Sequence, residues 1–271
     1  MKKLFWMCLL LLPGITLSGQ SVPVYRLDSL GDGIAGAVAL GFGLGMQRVA
    51  DNIVGPDEAF LAGLDPMDVN AFDRPATARW SPAASTASDW TMYTAGFGAI
   101  AGMLLDRQMR SSWGTWTVMF FETFLINHGL TFVTKTQTRR VRPLAYNPTV
   151  PAERKARGDV FQSFYSGHTS FTAAAAFLAA KIYHDHHRDS KWRFLAWSGA
   201  GILTGATAYL RVAGGKHYPT DVIVGAGAGA LVGILVPEFH RVRKAPDQRS
   251  ELQWELGPAL GMQGVRLGLR F

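Results

Sequence analysis

Residues 211–236 read RVAGGKHYPTDVIVGAGAGALVGILV, a short polar loop followed by a long apolar run in which glycine recurs. Pro219 suits the first turn of a helix, because its φ is already helical and its missing N–H would have no partner there. The helix would begin just after His217 and carry Asp221 in its first turn. This spacing brings the carboxylate back towards the imidazole. A carboxylate on one ring nitrogen fixes the tautomer and leaves the other nitrogen as a nucleophile.

A second helix start is predicted upstream, in SGHTSFTAAAAFLAA at residues 166–180. The first turn of such a helix has free backbone N–H groups and the positive end of the helix dipole, which together attract anions. Gly167 lets the backbone approach an oxyanion without a Cβ in the way, and Ser166 adds a hydroxyl. His168 stands beside them as a proton donor.

A third stretch, KTQTRRVRP at residues 135–143, supplies cations. If it is helical, Lys135 and Arg142 share one face because they are seven residues apart. Pro143 cannot continue a helix and ends the stretch.

Together the three stretches predict a phosphate-handling site. Phosphoryl transfer needs cations around the equatorial oxygens, a nucleophile in line with the leaving oxygen and an acid to protonate that oxygen. A lone cation is usually a surface charge and a lone histidine is usually structural, so the joint occurrence is what favours chemistry. The requirements are met by Lys135, Arg142, Arg211, His217, His168 and Asp221.

The pattern K-x6-R-P, S-G-H and R-x5-H-x3-D resembles the superfamily of type 2 phosphatidic acid phosphatases (PAP2) and vanadium haloperoxidases. Two positions depart from it: Tyr165 stands where a proline usually precedes Ser-Gly-His, and Leu210 replaces a serine. The resemblance implies a metal-free, two-step hydrolysis in which His217 attacks phosphorus, His168 protonates the leaving oxygen and water releases the phosphohistidine. It also implies which residues bind the phosphoryl group: Lys135, Arg142, Ser166, Gly167 and Arg211.

The resemblance sets the expected cofactors and the candidate functions. No cofactor or metal is expected, vanadate is expected to inhibit, and His184, His186 and His187 resemble a metal cluster only superficially. The leading function is an envelope phosphatase that acts on a lipid phosphate or pyrophosphate monoester. Its expected partners are this substrate and the lipids of the surrounding membrane. The alternatives are a soluble periplasmic acid phosphatase, a vanadate-dependent haloperoxidase and a non-catalytic membrane scaffold. A non-catalytic scaffold would not require His217 and His168 for its function.

Composition indicates one large helical domain and excludes a nucleic-acid partner. The chain has 271 residues, of which 48% are hydrophobic, a formal net charge of +7 and one cysteine. The excess of basic residues does not indicate nucleic acid, since several are assigned to the site and no nucleic-acid-binding motif appears. A basic protein also suits anionic lipid headgroups.

Residues 1–19 are predicted as a secretory signal peptide, from two lysines, an apolar core and the small residues Ser18 and Gly19. The exported chain is expected in the cell envelope, in the inner membrane. Residues 20–245 would form the PAP2-type helical domain, with 51–90 as a cap loop.

Residues 246–271 would form a tail. Its apolar residues alternate with polar or small ones, which predicts a short C-terminal β-hairpin around Gly257 and Pro258.

The predicted fold class is all-α, a six-helix bundle of the PAP2/haloperoxidase type embedded in a membrane. Chain reversal at each end gathers the motifs on one face and the flanking basic residues on the other, which places the active site in the periplasm. A mean hydropathy of +0.09 is low for a membrane protein, so a soluble periplasmic bundle remains an alternative. The 30 glycines, in contrast, favour close helix packing in lipid. The helices are predicted at about 33–47, 91–105, 113–134, 169–183, 194–210 and 221–236.

Overall fold

The computed structural model describes residues 23–242 and the backbone of residues 254–255 and 266–267. The predicted signal peptide at 1–19 lies outside the described residues. The described chain forms nine α-helices, of which six have 20 residues or more. They are α1 (Ser29–Asp51), α2 (Glu58–Ala62), α3 (Pro82–Leu105), α4 (Arg107–Arg110), α5 (Trp113–Thr138), α6 (Ala152–Lys155), α7 (Gly167–His186), α8 (Arg193–Ala213) and α9 (Pro219–His240).

The helical class fits the prediction, but the count of six helices is wrong. Each predicted apolar segment lies inside one of the long helices. The additional helices, α2, α4 and α6, have only four or five residues, which is too short to produce a hydrophobic period in the sequence. Two of them, α2 and α4, are N-capped by the aspartates Asp57 and Asp106.

The C-terminal β-hairpin predicted around Gly257 and Pro258 is also wrong. Strands β1 (Trp254–Glu255) and β2 (Arg266–Leu267) are two residues each, and they pair antiparallel with Trp254 opposite Leu267. This register is centred near residues 260 and 261, so a turn at 257–258 cannot produce it. Alternating apolar residues indicate a strand period but do not specify the pairing register.

Helix α7 lies at the centre and packs against α3, α5, α8 and α9. Its contact with α9 is backbone to backbone, because a glycine stripe on α9 faces it. A Cβ at Gly225, Gly229 or Gly233 would lie 2.7, 2.0 and 2.4 Å from the carbonyl oxygens of Ser166, Ser170 and Ala174. Only glycine permits this approach, which sets the start of α9 directly against the start of α7.

The three motif stretches meet at one end of the bundle, where α5 ends and where α7 and α9 begin. The backbone N–H of Ser166 donates to the carbonyl oxygen of Asp221 at 3.1 Å, which joins two of them. At the other end, the N–H of Arg26 donates to the carbonyl oxygen of His240 at 2.8 Å, so α1 begins where α9 finishes.

Candidate active site

His217 lies in the loop before α9, 1% exposed, and its tautomer is fixed by the main chain. Nδ1 is 2.7 Å from the carbonyl oxygen of Ser163, which can only accept, so Nδ1 carries the proton. Burial, reinforced by the charges of Arg211 and Lys135, holds the pKa of His217 well below its usual range. The imidazole is therefore neutral near pH 7, with a free lone pair on Nε2.

Asp221 is close to His217, but it does not make the contact that fixes the tautomer. Its Oδ2 is 3.6 Å from Nδ1. The same oxygen accepts the hydroxyl of Ser163 at 2.5 Å and the backbone N–H of Tyr218 at 2.9 Å. The structure thus gives the tautomer-fixing role predicted for Asp221 to the Ser163 carbonyl. Asp221 instead holds the loop around the imidazole and caps α9.

The start of α7 places Gly167 and His168 at the site and turns Ser166 away from it. Ser166 is the N-cap, fully buried, and its hydroxyl contacts the Thr169 hydroxyl at 3.0 Å. A Cβ on Gly167 would lie 3.1 Å from Thr131 Cγ2, so a larger residue needs Thr131 to shift. His168 Nε2 is 2.8 Å from the carboxylate of Asp89, a partner that the sequence analysis missed.

Three buried basic side chains line the same cavity as His217 and His168. Lys135, Arg142 and Arg211 are 6%, 7% and 4% exposed. They are held by the carbonyl oxygen of Gln162 at 2.8 Å, the carboxylate of Asp159 at 3.0 Å and, for Arg211, the hydroxyl of Ser88 at 3.2 Å.

The two guanidinium groups keep unused donors. The Nε atoms of Arg142 and Arg211 are buried and have no hydrogen-bond partner among the described residues. Buried N–H groups are normally paired, so this cluster is suited to an anion that would accept from them. Burial lowers the pKa of Arg142 below its usual range, although the group stays a cation near neutral pH.

Lys135 and Arg142 reach the site without sharing a helical face. Helix α5 ends at Thr138, Arg139 adopts a left-handed φ of 43°, and Arg142 follows in extended conformation. The condition of a helix over 135–142, under which the two side chains would share one face, is therefore not met. One cation comes from the last turn of α5 and the other from the loop after it.

A cavity of about 310 Å³ joins these groups. Six predicted site residues line it: Lys135, Arg142, Gly167, His168, Arg211 and His217. Ser166 and Asp221 do not line it and lie behind its wall. One flank is apolar and is formed by Met92, Phe124, Phe132 and Phe171.

Comparison with known proteins identifies the family. Residues 92–245, more than half of the chain, match the PAP2 superfamily. The chain belongs to the PAP2 superfamily. Members of the PAP2 family are phosphatases, which makes the chain a phosphoric ester hydrolase. No curated protein gives a significant match.

One solved structure is similar to this PAP2 protein: a transmembrane PAP2 type phosphatidylglycerolphosphate phosphatase from Bacillus subtilis. The two are 23% identical, the match covers 74% of this chain and 94% of the other, and the TM-score is 0.47.

Behind the cavity of this PAP2 phosphatase lies an ion-pair network that the sequence analysis missed. Arg140 donates to Asp221 Oδ1 at 2.5 Å and to Asp73 Oδ2 at 2.7 Å. Asp73 is fully buried and also accepts from the backbone N–H and hydroxyl of Thr220 at 3.0 and 2.6 Å. Burial alone would raise the pKa of Asp73, but the hydrogen bonds from Thr220, Asn70 and Arg140 outweigh it and hold the pKa below its usual range.

The network joins residue 73, in the segment predicted as a cap loop, to the first turn of α9. Nothing in KTQTRRVRP distinguishes Arg140 from its neighbour Arg139, which is exposed. Only the fold, which brings Asp73 beside it from 67 residues away, gives Arg140 its role. Arg140 is thus a positioning residue for Asp221 and its loop.

Arg140→Ala is expected to lower the free energy of unfolding by about 2 kcal/mol, because two buried carboxylates lose their guanidinium partner. This loss of stability is smaller than the loss expected for a fully buried ion pair, because the Arg140 side chain is 26% exposed. Thermal or denaturant unfolding in detergent measures the change. The matched control is Arg139→Ala, expected to stay within about 0.5 kcal/mol of the wild type. Equal losses in both variants would show that the network contributes nothing specific.

Proposed function

We propose that this PAP2 phosphatase hydrolyses a lipid phosphate or pyrophosphate monoester through a phosphohistidine at His217. The observation that carries the proposal is the 2.7 Å contact of His217 Nδ1 with the Ser163 carbonyl. It leaves Nε2 unprotonated in a cavity with three buried cations, which is the arrangement a nucleophile needs for attack on a phosphoryl group.

In the first step Nε2 of His217 forms a bond to phosphorus as the ester P–O bond breaks. The bonding electrons leave with the oxygen, and His168 protonates it. In the free protein, burial and the charge of Arg211 lower the pKa of His168 to about 4, although Asp89 at 2.8 Å opposes this shift. The negative charge of a bound phosphate would raise the pKa again and favour the protonated imidazole that the first step needs. Lys135, Arg142 and Arg211 balance the charge on the equatorial oxygens.

In the second step water attacks phosphorus and the P–N bond breaks. The water proton passes to His168, which restores both histidines to their starting states. The Gly167 N–H, at the start of α7, faces the same anion in both steps. Ser166 would act indirectly, by capping the helix that presents this N–H.

The apolar flank of the cavity supports a lipid substrate. Phe124 and Phe171 pack edge to face with ring centroids 5.3 Å apart, and both line the cavity that holds His217. An acyl or isoprenoid chain attached to the phosphate would bury apolar surface there, which a small soluble ester cannot do.

Phosphate release from the detergent-extracted protein tests this proposal. The substrates are a long-chain lipid phosphate, its short-chain analogue with the same headgroup, a lipid pyrophosphate and a soluble aryl phosphate. We expect the largest kcat/KM for a long-chain substrate. Equal kcat/KM values for all four substrates would agree with a phosphatase but would contradict the assignment of a lipid substrate.

Hydrolysis is expected to persist in excess EDTA, because the nucleophile, the acid and the charge-balancing groups are all side chains. Vanadate is expected to inhibit competitively, since it takes up the trigonal-bipyramidal shape of the phosphoryl transition state. Initial rates with and without chelator, at matched ionic strength, measure the first effect. Loss of the rate on chelation and its return with zinc or magnesium would contradict the mechanism.

We further propose that the bundle is embedded in a membrane. Helices α1 and α9 are long and apolar enough to span a membrane, and only 6% of the apolar stretch of α1 is buried in the protein. Leu30, Ile34 and Val38 on α1 are between 58% and 74% exposed. Exposure of such an apolar surface to water is energetically unfavourable, whereas contact with lipid acyl chains is not.

The active site is proposed to face the periplasm. Basic residues flank the opposite end of the bundle, at α4, at the turn between α7 and α8 and just after α9, and the positive-inside rule places that end in the cytoplasm. They include Arg107, Arg110, Arg188, Lys191, Arg193 and Arg241.

Cysteine labelling in cells with a permeabilised outer membrane tests this topology. In a Cys8→Ser background, Glu58→Cys on α2 is expected to react with a membrane-impermeant thiol reagent, while Asp189→Cys is not. Both native residues are exposed, so accessibility in the protein does not bias the result. Labelling at both sites would indicate a soluble periplasmic protein, and labelling at Asp189→Cys alone would reverse the orientation.

A further inference from the structure

Three metal-ligating side chains meet at the end of the bundle opposite the phosphate cavity. Asp32 comes from α1, Glu122 from α5 and His240 from the end of α9. His240 Nε2 is 3.3 Å from Asp32 Oδ1 and 3.3 Å from Glu122 Oε2, and the three atoms lie within 4.8 Å of one another. Glu122 is thirteen residues before Lys135 on the same helix, so the cluster is roughly 20 Å from the phosphate cavity.

The main chain fixes the tautomer of His240. Its Nδ1 is 2.8 Å from the carbonyl oxygen of Val236, which can only accept a hydrogen bond, so Nδ1 carries a proton. Nε2 therefore points its lone pair, or a second proton, at two carboxylate oxygens. Either the ring is an imidazolium shared between two carboxylates, or a cation lies among three lone pairs.

The distances favour the cation. A charge-assisted N–H···O bond is about 2.7 to 2.9 Å long, and both contacts of Nε2 are longer at 3.3 Å. The contact with Asp32 has hydrogen-bond geometry, whereas the one with Glu122 is an ion pair only. In a tetrahedral zinc site with bonds of about 2.0 to 2.1 Å, neighbouring ligand atoms are about 3.3 to 3.4 Å apart. Both contacts match this spacing.

The charges and the outer contacts also fit a metal. Within residues 23–242, neither Asp32 nor Glu122 forms an ion pair with a lysine or arginine, so a protonated His240 could balance only one of the two carboxylate charges. Asp32 Oδ2 accepts the backbone N–H of Asp28 at 2.8 Å, and His240 donates to Val236. Such outer hydrogen bonds orient the ligands in metal sites.

We propose that Asp32, Glu122 and His240 bind one divalent cation of the zinc class. The three also line a cavity of about 160 Å³, which has room for a water as the fourth ligand. The metal would join α1 to α5 and α9. Helix α1 buries little of its own surface, so a metal bond to two other helices would supply a tether that apolar packing does not.

Cobalt binding tests the site, because tetrahedral Co²⁺ gives visible d–d absorption. The untagged protein in detergent is stripped with EDTA, dialysed and titrated with Co²⁺. We expect one equivalent to bind and Zn²⁺ to displace it. Glu122→Gln and His240→Gln should each weaken binding by more than the roughly 10- to 100-fold cost of losing an outer-shell partner.

The matched control is His184→Ala. His184 belongs to the histidine group at the end of α7, where its Nδ1 contacts the indole nitrogen of Trp197 at 3.3 Å and where His187 pairs with Asp106 at 2.9 Å. This variant should bind cobalt as the wild type does. Absence of the absorption in the wild type would identify the cluster as an imidazolium ion pair and overturn the proposal. So would absorption retained in His240→Gln.

A measurement on the wild type alone covers the case in which a ligand variant does not fold. X-ray absorption of the zinc-loaded protein should show one imidazole and a remainder of oxygen ligands, and zinc should raise the Tm above that of the EDTA-treated protein. Two or more imidazoles would place the metal in the histidine group on α7 and overturn the proposal. Phosphate release from the same sample is expected to be independent of the metal, so the outcome is separate from that of the proposed hydrolysis.

Discussion

His217→Ala is expected to lose kcat by a factor on the order of 10⁴ to 10⁶, the scale found when other enzymes lose a nucleophile or its partner. Without Nε2 no phosphoenzyme can form, and the remaining cations can only bind the substrate. KM should therefore change far less than kcat. Phosphate release under saturating substrate measures the rate.

The intermediate provides an independent readout of the same variant. Wild-type protein quenched in alkali after exposure to a labelled substrate should retain label on histidine, since a phosphohistidine resists alkali and is hydrolysed in acid. His217→Ala should retain none. The control is His184→Ala, which removes a histidine outside the cavity and should leave both rate and label unchanged. Label retained in His217→Ala would mean that another residue is the nucleophile.

His168→Ala is expected to lose about 10² to 10⁴ in kcat towards an alkyl phosphate, the usual contribution of a general acid. An aryl phosphate should lose much less, because a phenolate leaves without being protonated. The ratio of the two rates, rather than either rate alone, identifies the acid. Equal losses on both substrates would show that His168 does not protonate the leaving group.

Asp89→Asn is the companion to this experiment. Asp89 contacts His168 at 2.8 Å and lies 3.9 Å from Arg211, so the amide would keep the shape of the side chain but remove its charge. We expect Asp89→Asn, like His168→Ala, to lose more kcat towards the alkyl phosphate than towards the aryl phosphate. The loss should be smaller than in His168→Ala. Both variants leave His217 in place and should still form the phosphoenzyme from the aryl substrate.

The six cavity-lining site residues were predictable from the sequence, as were the apolar segments that became the long helices. The apolar segments and the places of His217 and His168 next to helix starts rest on local signals, whereas the phosphate-binding roles of the basic residues follow from the resemblance to the PAP2 pattern. Pro219 favours the first turn of a helix, and Ser166 is a preferred N-cap residue, so the places of His217 and His168 beside helix starts follow from backbone preferences. Local signals did not decide two features. Arg139, with a left-handed φ of 43°, follows the end of α5 and leaves Arg142 in a loop, and alternation in the tail did not specify the strand register.

The tertiary structure decided which partners these residues have. The Ser163 carbonyl that holds His217 is 54 residues away, the Asp73 that pairs with Arg140 is 67 away, and the Asp89 beside His168 is 79 away. Hydrogen bonds and ion pairs act over about 3 Å and depend on direction, so the sequence specifies them only within a turn or a helix.

The cluster of Asp32, Glu122 and His240 is the extreme case, because its members come from three helices that no sequence pattern connects. By itself the sequence determined the chemical groups of the phosphate site and the helices that carry them. The packing of α7 against the glycine stripe of α9 decided how those groups are oriented, because only the backbone contact at Gly225 and Gly229 brings the two helix starts together.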